Sequence, residues 1–143
     1  MTALQYAKNV LNFCNYRGIY ISNLQLQKIL YFLQMQSYKD TNRSLFSDDF
    51  LAYPYGPIIY DVYIQYSIYG ARNIFENFES YDNSLSKKQE LLVYKCATMP
   101  SYQLVNISHK SGGAWDKTYR NRNGIGSVIR KELIKEEAPY TIR

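Results

Sequence analysis

The chain has one histidine and two cysteines among its 143 residues, so the side chains that most often bind zinc are scarce. Cys14 and Cys96 are far apart in the sequence, and each falls within a helical apolar pattern. Neither cysteine forms a metal-ligand spacing with His109 or with the other. We therefore expect two reduced thiols in the core of a protein that needs no metal and no cofactor.

Long apolar runs are also absent from the sequence. No segment approaches the roughly 20 apolar residues that cross a bilayer, and the N-terminus has no basic stretch followed by a long apolar one. We expect a cytoplasmic protein without a membrane segment. A chain of 143 residues has the usual size of one domain, so a single domain is expected over 1–143.

Motifs for catalysis or nucleotide binding are missing. Gly124-Ile125-Gly126 lacks the third glycine of a dinucleotide fingerprint, and Gly112-Gly113 lacks the Lys-Ser/Thr of a P-loop. His109 has no cysteine or acidic partner in a recognisable motif, which favours a hydrogen-bonded structural histidine over a catalytic one. The sequence predicts a protein that is not an enzyme and that acts by binding.

The residues that are present predict helices for most of the chain. Ser/Thr-x-x-Gln capping boxes begin amphipathic segments at Thr2, Ser22 and Ser86, and Ser101 can start a short helix that ends at Ser108. Because several helices each have one apolar face, they should pack together. The predicted fold class is mainly α, a compact helical bundle with a small β-hairpin.

The C-terminal part predicts one more helix. It should begin near Ser127 and stop at Pro139, with Ile129 and Ile134 facing inward. Its charged residues are predicted to face outward, namely Arg130, Lys131, Lys135, Glu136 and Glu137. Residues 71–84 mix phenylalanine with polar residues and predict an irregular connection.

A rigid turn is predicted in the middle of the chain, within Ala52-Tyr53-Pro54-Tyr55-Gly56-Pro57-Ile58. Two prolines and a glycine fall within four residues and stiffen the path of the backbone. We call residues 52–58 the elbow. The sequence predicts a hairpin before it, made by Leu45-Phe46 and the run that starts at Phe50, and a helix after it that begins at Pro57 and runs to Gly70.

The elbow is similar to the Ala-Trp-x-x-Gly-Pro-Val signature of the Panacea domain family. Residues 23–32 and 108–115 resemble two further motifs of that family in order and spacing, and the three motifs together span most of the chain. Two positions depart from the family pattern. Tyr53 stands where the family usually has Trp, and Ala114 stands where a Pro usually precedes the Trp.

The Panacea family contains phage-associated antitoxins of toxin-antitoxin systems. The resemblance implies a non-enzymatic protein that binds and neutralises a separately encoded protein toxin. Some members of the family deliver the bound toxin to a AAA+ protease, and the sequence leaves that mechanism open beside direct inhibition. A DNA-binding regulator of its own operon and an uncharacterised enzyme are the alternative classes.

The resemblance also names candidate residues for partner binding or for the motif structure, namely Lys28, Tyr31, Tyr53, Tyr55, Gly56, Pro57, His109 and Trp115. His109 and Trp115 belong to a turn expected to lie beside the elbow. Trp115 either fills the core or anchors a partner. Lys28 and Tyr31 are three residues apart and share one helix face. We favour a solvated face at this position over a contact with the elbow.

The net charge of +5 is concentrated in the C-terminal part of the chain. Residues 1–109 have 9 basic and 8 acidic groups, whereas residues 110–143 have 8 and 4. Clustered Lys and Arg suggest nucleic-acid binding, but acidic residues interrupt the cluster and no helix-turn-helix signature is present. Solvated surface charge is the favoured interpretation, and an acidic protein partner could use the same residues.

Overall fold

The structure, a computed structural model, describes residues 1–76 and 84–142. Over these residues the chain forms seven α-helices and three short strands. The helices are α1 Ala3–Tyr16, α2 Asn23–Thr41, α3 Tyr60–Gln65, α4 Lys87–Ala97, α5 Ser101–Ser108, α6 Ala114–Tyr119 and α7 Lys131–Thr141. The strands are β1 Phe50–Tyr53, β2 Gly56–Ile58 and β3 Val128–Ile129. The predicted mainly helical fold with a small β-element is confirmed.

Three helices begin at the residues that the capping boxes predict. Thr2, Ser22 and Ser86 each accept a hydrogen bond from the backbone of the residue three positions later, and the glutamine there bonds back to the cap. Each box satisfies two backbone N–H groups that a helix end leaves without partners. These starts depend on four consecutive residues, so the sequence alone predicts them.

Helix α2 is the centre of the fold. The helices α1, α4, α5 and α7 and the strand β2 all pack against it. Most of its side chains are therefore buried, on all faces of the helix, and they include the polar side chains of Gln27, Lys28 and Gln34. A helix surrounded in this way has no solvated face, so the solvated face expected for Lys28 and Tyr31 is wrong.

The strands form one antiparallel sheet in the order β2-β1-β3. The strand β1 pairs with β2 through a two-residue turn at Pro54-Tyr55, with Tyr53 opposite Gly56 and Leu51 opposite Ile58. The hairpin is thus made by the elbow itself. Leu45-Phe46 is not its other strand, because the side chain of Gln34 accepts from Leu45 N at 2.6 Å and donates to Phe46 O at 3.0 Å.

The predicted helix start at Pro57 is also wrong. Pro57 lies in β2 at the edge of the sheet, where a residue without an N–H is tolerated. Helix α3 begins at Tyr60 and ends at Gln65, and a 3₁₀ turn at Ser67–Tyr69 follows it. The backbone N–H of Ile59, just before the helix, donates to the side chain of Gln27 at 2.8 Å.

The last helix differs from its prediction at both ends. It begins at Lys131 because Val128–Ile129 pairs with β1 as a strand. It also continues past Pro139, which lies in the final turn, where the helix loses only one backbone hydrogen bond. The irregular connection predicted for 71–84 lies partly outside the described residues.

Cys14 and Cys96 are buried and free, as expected. Burial raises the pKa of each thiol to about 12. Within residues 1–76 and 84–142, no helix combines the length and the apolar character that crossing a bilayer requires. The same residues contain no group of three metal-binding side chains.

Candidate functional site

The three sequence motifs meet beside the middle of α2. The ammonium group of Lys28 donates to the carbonyl of Pro57 at 3.4 Å, which joins the first motif to the elbow. The indole Nε1 of Trp115 donates to the carbonyl of Tyr53 at 2.8 Å, which joins the third motif to the elbow. The turn that contains His109 and Trp115 therefore lies against the elbow, as the family resemblance implies.

Gly56 lies where the elbow closely approaches the other two motifs. Its φ is +117°, a backbone angle that side chains disfavour. A Cβ atom there would lie 2.7 Å from Lys28 Cε and 2.9 Å from Ser108 Oγ. Only glycine leaves room for α2, the elbow and α5 to meet at this point.

Lys28 is a buried cation without an acidic partner. Only 1% of its surface is exposed, and its ammonium donates the long hydrogen bond to the carbonyl of Pro57. Among the described residues, no carboxylate lies within 4 Å of its ammonium group. Burial lowers its pKa from 10.5 to about 7, since the charged form loses its hydration.

His109, Trp115 and Tyr119 form a stack of aromatic rings behind the elbow. The His109 and Trp115 ring centres are 3.7 Å apart with their planes at 5°, and Trp115 and Tyr119 are 4.6 Å apart. Burial, and secondly the charge of Lys28, lowers the pKa of His109. Trp115 is 7% exposed, so it fills the core rather than a surface groove.

Tyr31 belongs to a second buried group, centred on Glu137. The backbone N–H of Ala114 donates to Glu137 Oε1 at 2.7 Å, and the Tyr31 hydroxyl donates to the same oxygen at 3.5 Å. Thr141 Oγ1 donates to Oε2 at 2.6 Å. Burial and the charge of Glu137 raise the pKa of Tyr31. The carboxylate thus holds α2, α6 and α7 together.

Glu137 is only 5% exposed, so the prediction that it faces outward is wrong. The helical period contains the correct signal: Glu137 lies three residues after Ile134 and next to Ala138, on the face that packs inward. Because Glu137 is charged, the sequence pattern favoured the outer face of the helix instead. Gly113 lies against it, since a Cβ there would be 2.5 Å from Glu137 Oε1.

An open groove of about 580 Å³ lies beside the buried Lys28. Its walls come from α2, the elbow and α3, and they are mostly apolar or aromatic. The tyrosines that face it include Tyr53, Tyr55, Tyr60 and Tyr63, of which the last three are exposed. Tyrosine is one of the residues that dominate binding energy at protein interfaces.

The other polar side chains deep in the groove bond within the fold. Gln27 Oε1 accepts from Ile59 N, and Gln27 Nε2 donates to Asn23 Oδ1 at 3.1 Å. Asn23 Nδ2 in turn donates to the carbonyl of Tyr63 at 3.1 Å. Sequence reasoning missed both residues, because polar positions on a helix are usually solvated.

The eight predicted residues thus divide into two groups. Lys28, Tyr53 and Tyr55 line the groove. The remaining five hold the motifs in place from behind: Tyr31, Gly56, Pro57, His109 and Trp115.

The basic residues of the C-terminal part lie elsewhere. Lys131 forms an ion pair with Asp49 at 2.6 Å. The other basic side chains of residues 110–142 are exposed to solvent, namely Lys110, Lys117, Arg120, Arg122, Arg130 and Lys135. None of these side chains lines the groove.

Comparison with known proteins agrees with the motifs. Residues 26–116 match the family described as antitoxin SocA-like, Panacea domain. Because the match spans more than half of the chain, the protein belongs to this antitoxin family. Antitoxin SocA of Caulobacter vibrioides is 30% identical over 133 residues, which cover 81% of this chain and 71% of that protein. No solved structure matches the chain.

Proposed function

We propose that this protein is a non-enzymatic antitoxin that binds and neutralises a separately encoded toxin of a phage or other mobile element. Membership of an antitoxin family implies a toxin partner. The observation that carries the proposal is the groove beside the family motifs, which exposes Tyr55, Tyr60 and Tyr63 along mostly apolar walls. Such a surface fits a protein ligand.

The buried polar groups support binding rather than catalysis. Ser108 donates to the carbonyl of Val105 at 2.8 Å, so its hydroxyl is not aligned with a base. Both cysteines are buried, and their raised pKa keeps them as unreactive thiols. Glu137 accepts three hydrogen bonds, two of which join α7 to α2 and to α6.

The test is co-expression with the product of the adjacent reading frame. The antitoxin function predicts that growth is restored and that the two proteins co-purify. If the toxin disappears from cells, and reappears when AAA+ proteases are deleted, the protein acts as an adaptor for proteolysis. A stable complex without degradation supports direct inhibition.

The opposite outcome is equally clear. A protein that neither restores growth nor binds the adjacent product, but binds its own promoter with a steep salt dependence, is a regulator instead. The exposed basic residues of 110–142 would then be the first to substitute.

A further inference from the structure

Lys28 is the only charged residue among those that line the groove in the described part of the chain. No carboxylate of the same described residues lies within 4 Å of its ammonium. His109 is the titratable neighbour on the other side, and the two side chains repel each other when both are charged. The fold therefore places a buried lysine without an acidic partner in the wall of a groove that is open to a ligand.

A buried cation without a partner is costly, and a carboxylate supplied from outside would offset that cost. The carbonyl of Pro57 gives Lys28 one long hydrogen bond, and an ammonium group has three hydrogens to donate. Gln27 and Asn23 already bond within the fold, so they do not compete for that ligand.

We propose that the groove takes an apolar segment of the toxin that bears an Asp or Glu side chain, whose carboxylate pairs with the ammonium of Lys28. The inference rests on the proposed function and names the chemistry of the toxin segment. A volume of about 580 Å³ holds a few side chains rather than a whole domain. The net charge of +5 also favours an acidic partner.

The carboxylate belongs to a side chain rather than to a chain terminus. Proteins usually capture a C-terminal carboxylate with several free backbone N–H groups. Between the lining residues Ile58 and Tyr60, the N–H of Ile59 is already bonded to Gln27. A single lysine among mostly apolar lining residues suits one acidic side chain flanked by apolar ones.

The first experiment measures binding of the adjacent gene product to purified variants. Lys28→Met keeps the length of the side chain and removes its charge, and Tyr60→Ala removes an exposed wall residue without touching the core. Each should weaken binding about tenfold or more. The matched control is Tyr102→Ala on α5, which is exposed and outside the groove and should bind like wild type.

The outcomes separate the two proposals. If wild type binds and both groove variants bind equally well, the groove inference is wrong and the antitoxin function stands. If wild type does not bind, the antitoxin function fails, and the inference fails with it. Circular dichroism of each variant checks that the fold is retained.

The second experiment does not depend on the toxin. The peptides Ac-Phe-Glu-Phe-NH2 and Ac-Phe-Gln-Phe-NH2 differ only in one charge, and NMR titration measures their weak affinities. We expect the Glu peptide to bind about fivefold or more tightly, shifts at Tyr60 and Tyr63, and loss of the preference in Lys28→Met. Equal affinities, shifts elsewhere on the protein, or no binding of either peptide would overturn the inference.

Discussion

The end of the Lys28 side chain occupies the space that a Cβ atom at Gly56 would need. The atoms Cε and Nζ of Lys28 would lie 2.7 and 2.9 Å from that Cβ. The first two family motifs are therefore complementary in shape, since a lysine on α2 requires a glycine in the elbow. This relationship explains why the two motifs occur together in the chain.

The first prediction follows from this contact. Gly56→Ala should lower the free energy of unfolding by about 2–4 kcal/mol, because both the positive φ and the collision with Lys28 and Ser108 oppose it. Gly18→Ala is the matched control. It has φ +72° but open space around the Cβ, so about 1 kcal/mol is expected. Urea denaturation measures both, and equal losses would mean that the contact has no effect.

The second prediction concerns the carboxylate that joins the helices. Glu137→Ala should destabilise the protein by about 3 kcal/mol, because it leaves the N–H of Ala114 and the hydroxyl of Tyr31 buried without an acceptor. Glu137→Gln keeps one oxygen as an acceptor, so it should cost about 1 kcal/mol.

The control for this prediction is the neighbouring exposed residue. Glu136→Ala should change the free energy of unfolding by less than about 0.5 kcal/mol. Denaturation of the three variants under one set of conditions decides the matter. A similar effect of Glu137→Ala and Glu136→Ala would contradict the role given to the buried carboxylate.

Local features of the fold could be predicted from the sequence, whereas tertiary ones could not. The capping boxes at Thr2, Ser22 and Ser86 depend on neighbouring residues, so their helix starts are correct. The predicted pairing of Leu45-Phe46 with β1 is absent, because the side chain of Gln34 bonds to the backbone of that run. Nothing in the local pattern indicates that contact.

The candidate site was predictable only in part, for a similar reason. The resemblance places the third motif beside the elbow, and the hydrogen bond from Trp115 to Tyr53 agrees with it. The periodicity of α2 shows one apolar stripe, yet Lys28 is buried because α1, α3, α4, α5, α7 and β2 pack around that helix. The groove has walls from α2, the elbow and α3, so its shape depends on their packing.

The third prediction is a pH dependence of stability that is due to Lys28. Its pKa is about 7 in the folded protein and 10.5 as an ordinary lysine, so the unfolded chain binds more protons between these values. Stability should therefore rise as the pH increases above about 7. Below pH 7 the contribution of Lys28 should not depend on pH, because both states are then protonated. The expected slope is about 1 kcal/mol per pH unit.

The control variant Lys28→Met isolates this contribution. The buried Cys14 and Cys96 act in the opposite direction above about pH 9, because their unfolded thiols ionise there and their folded thiols do not. Both proteins share them, so the difference between wild type and Lys28→Met is the quantity to measure, by urea denaturation from pH 7 to pH 9. A constant difference would show that Lys28 stays charged in the folded state.

The last prediction separates the residues that contact a partner from those that hold the motif. Tyr55 is 70% exposed at the tip of the elbow, so Tyr55→Ala should keep the fold and weaken toxin binding by about 2 kcal/mol, roughly thirtyfold. Trp115→Phe should do the reverse. It removes the hydrogen bond to Tyr53 and lowers stability by about 1 kcal/mol, while the folded protein should bind the toxin almost as wild type does.

Calorimetric titration and thermal melting of both variants, with Tyr102→Ala as the exposed control, test whether contact residues and structural residues are separate. Weaker binding by Trp115→Phe than by Tyr55→Ala would place the contact surface behind the elbow instead of in the groove.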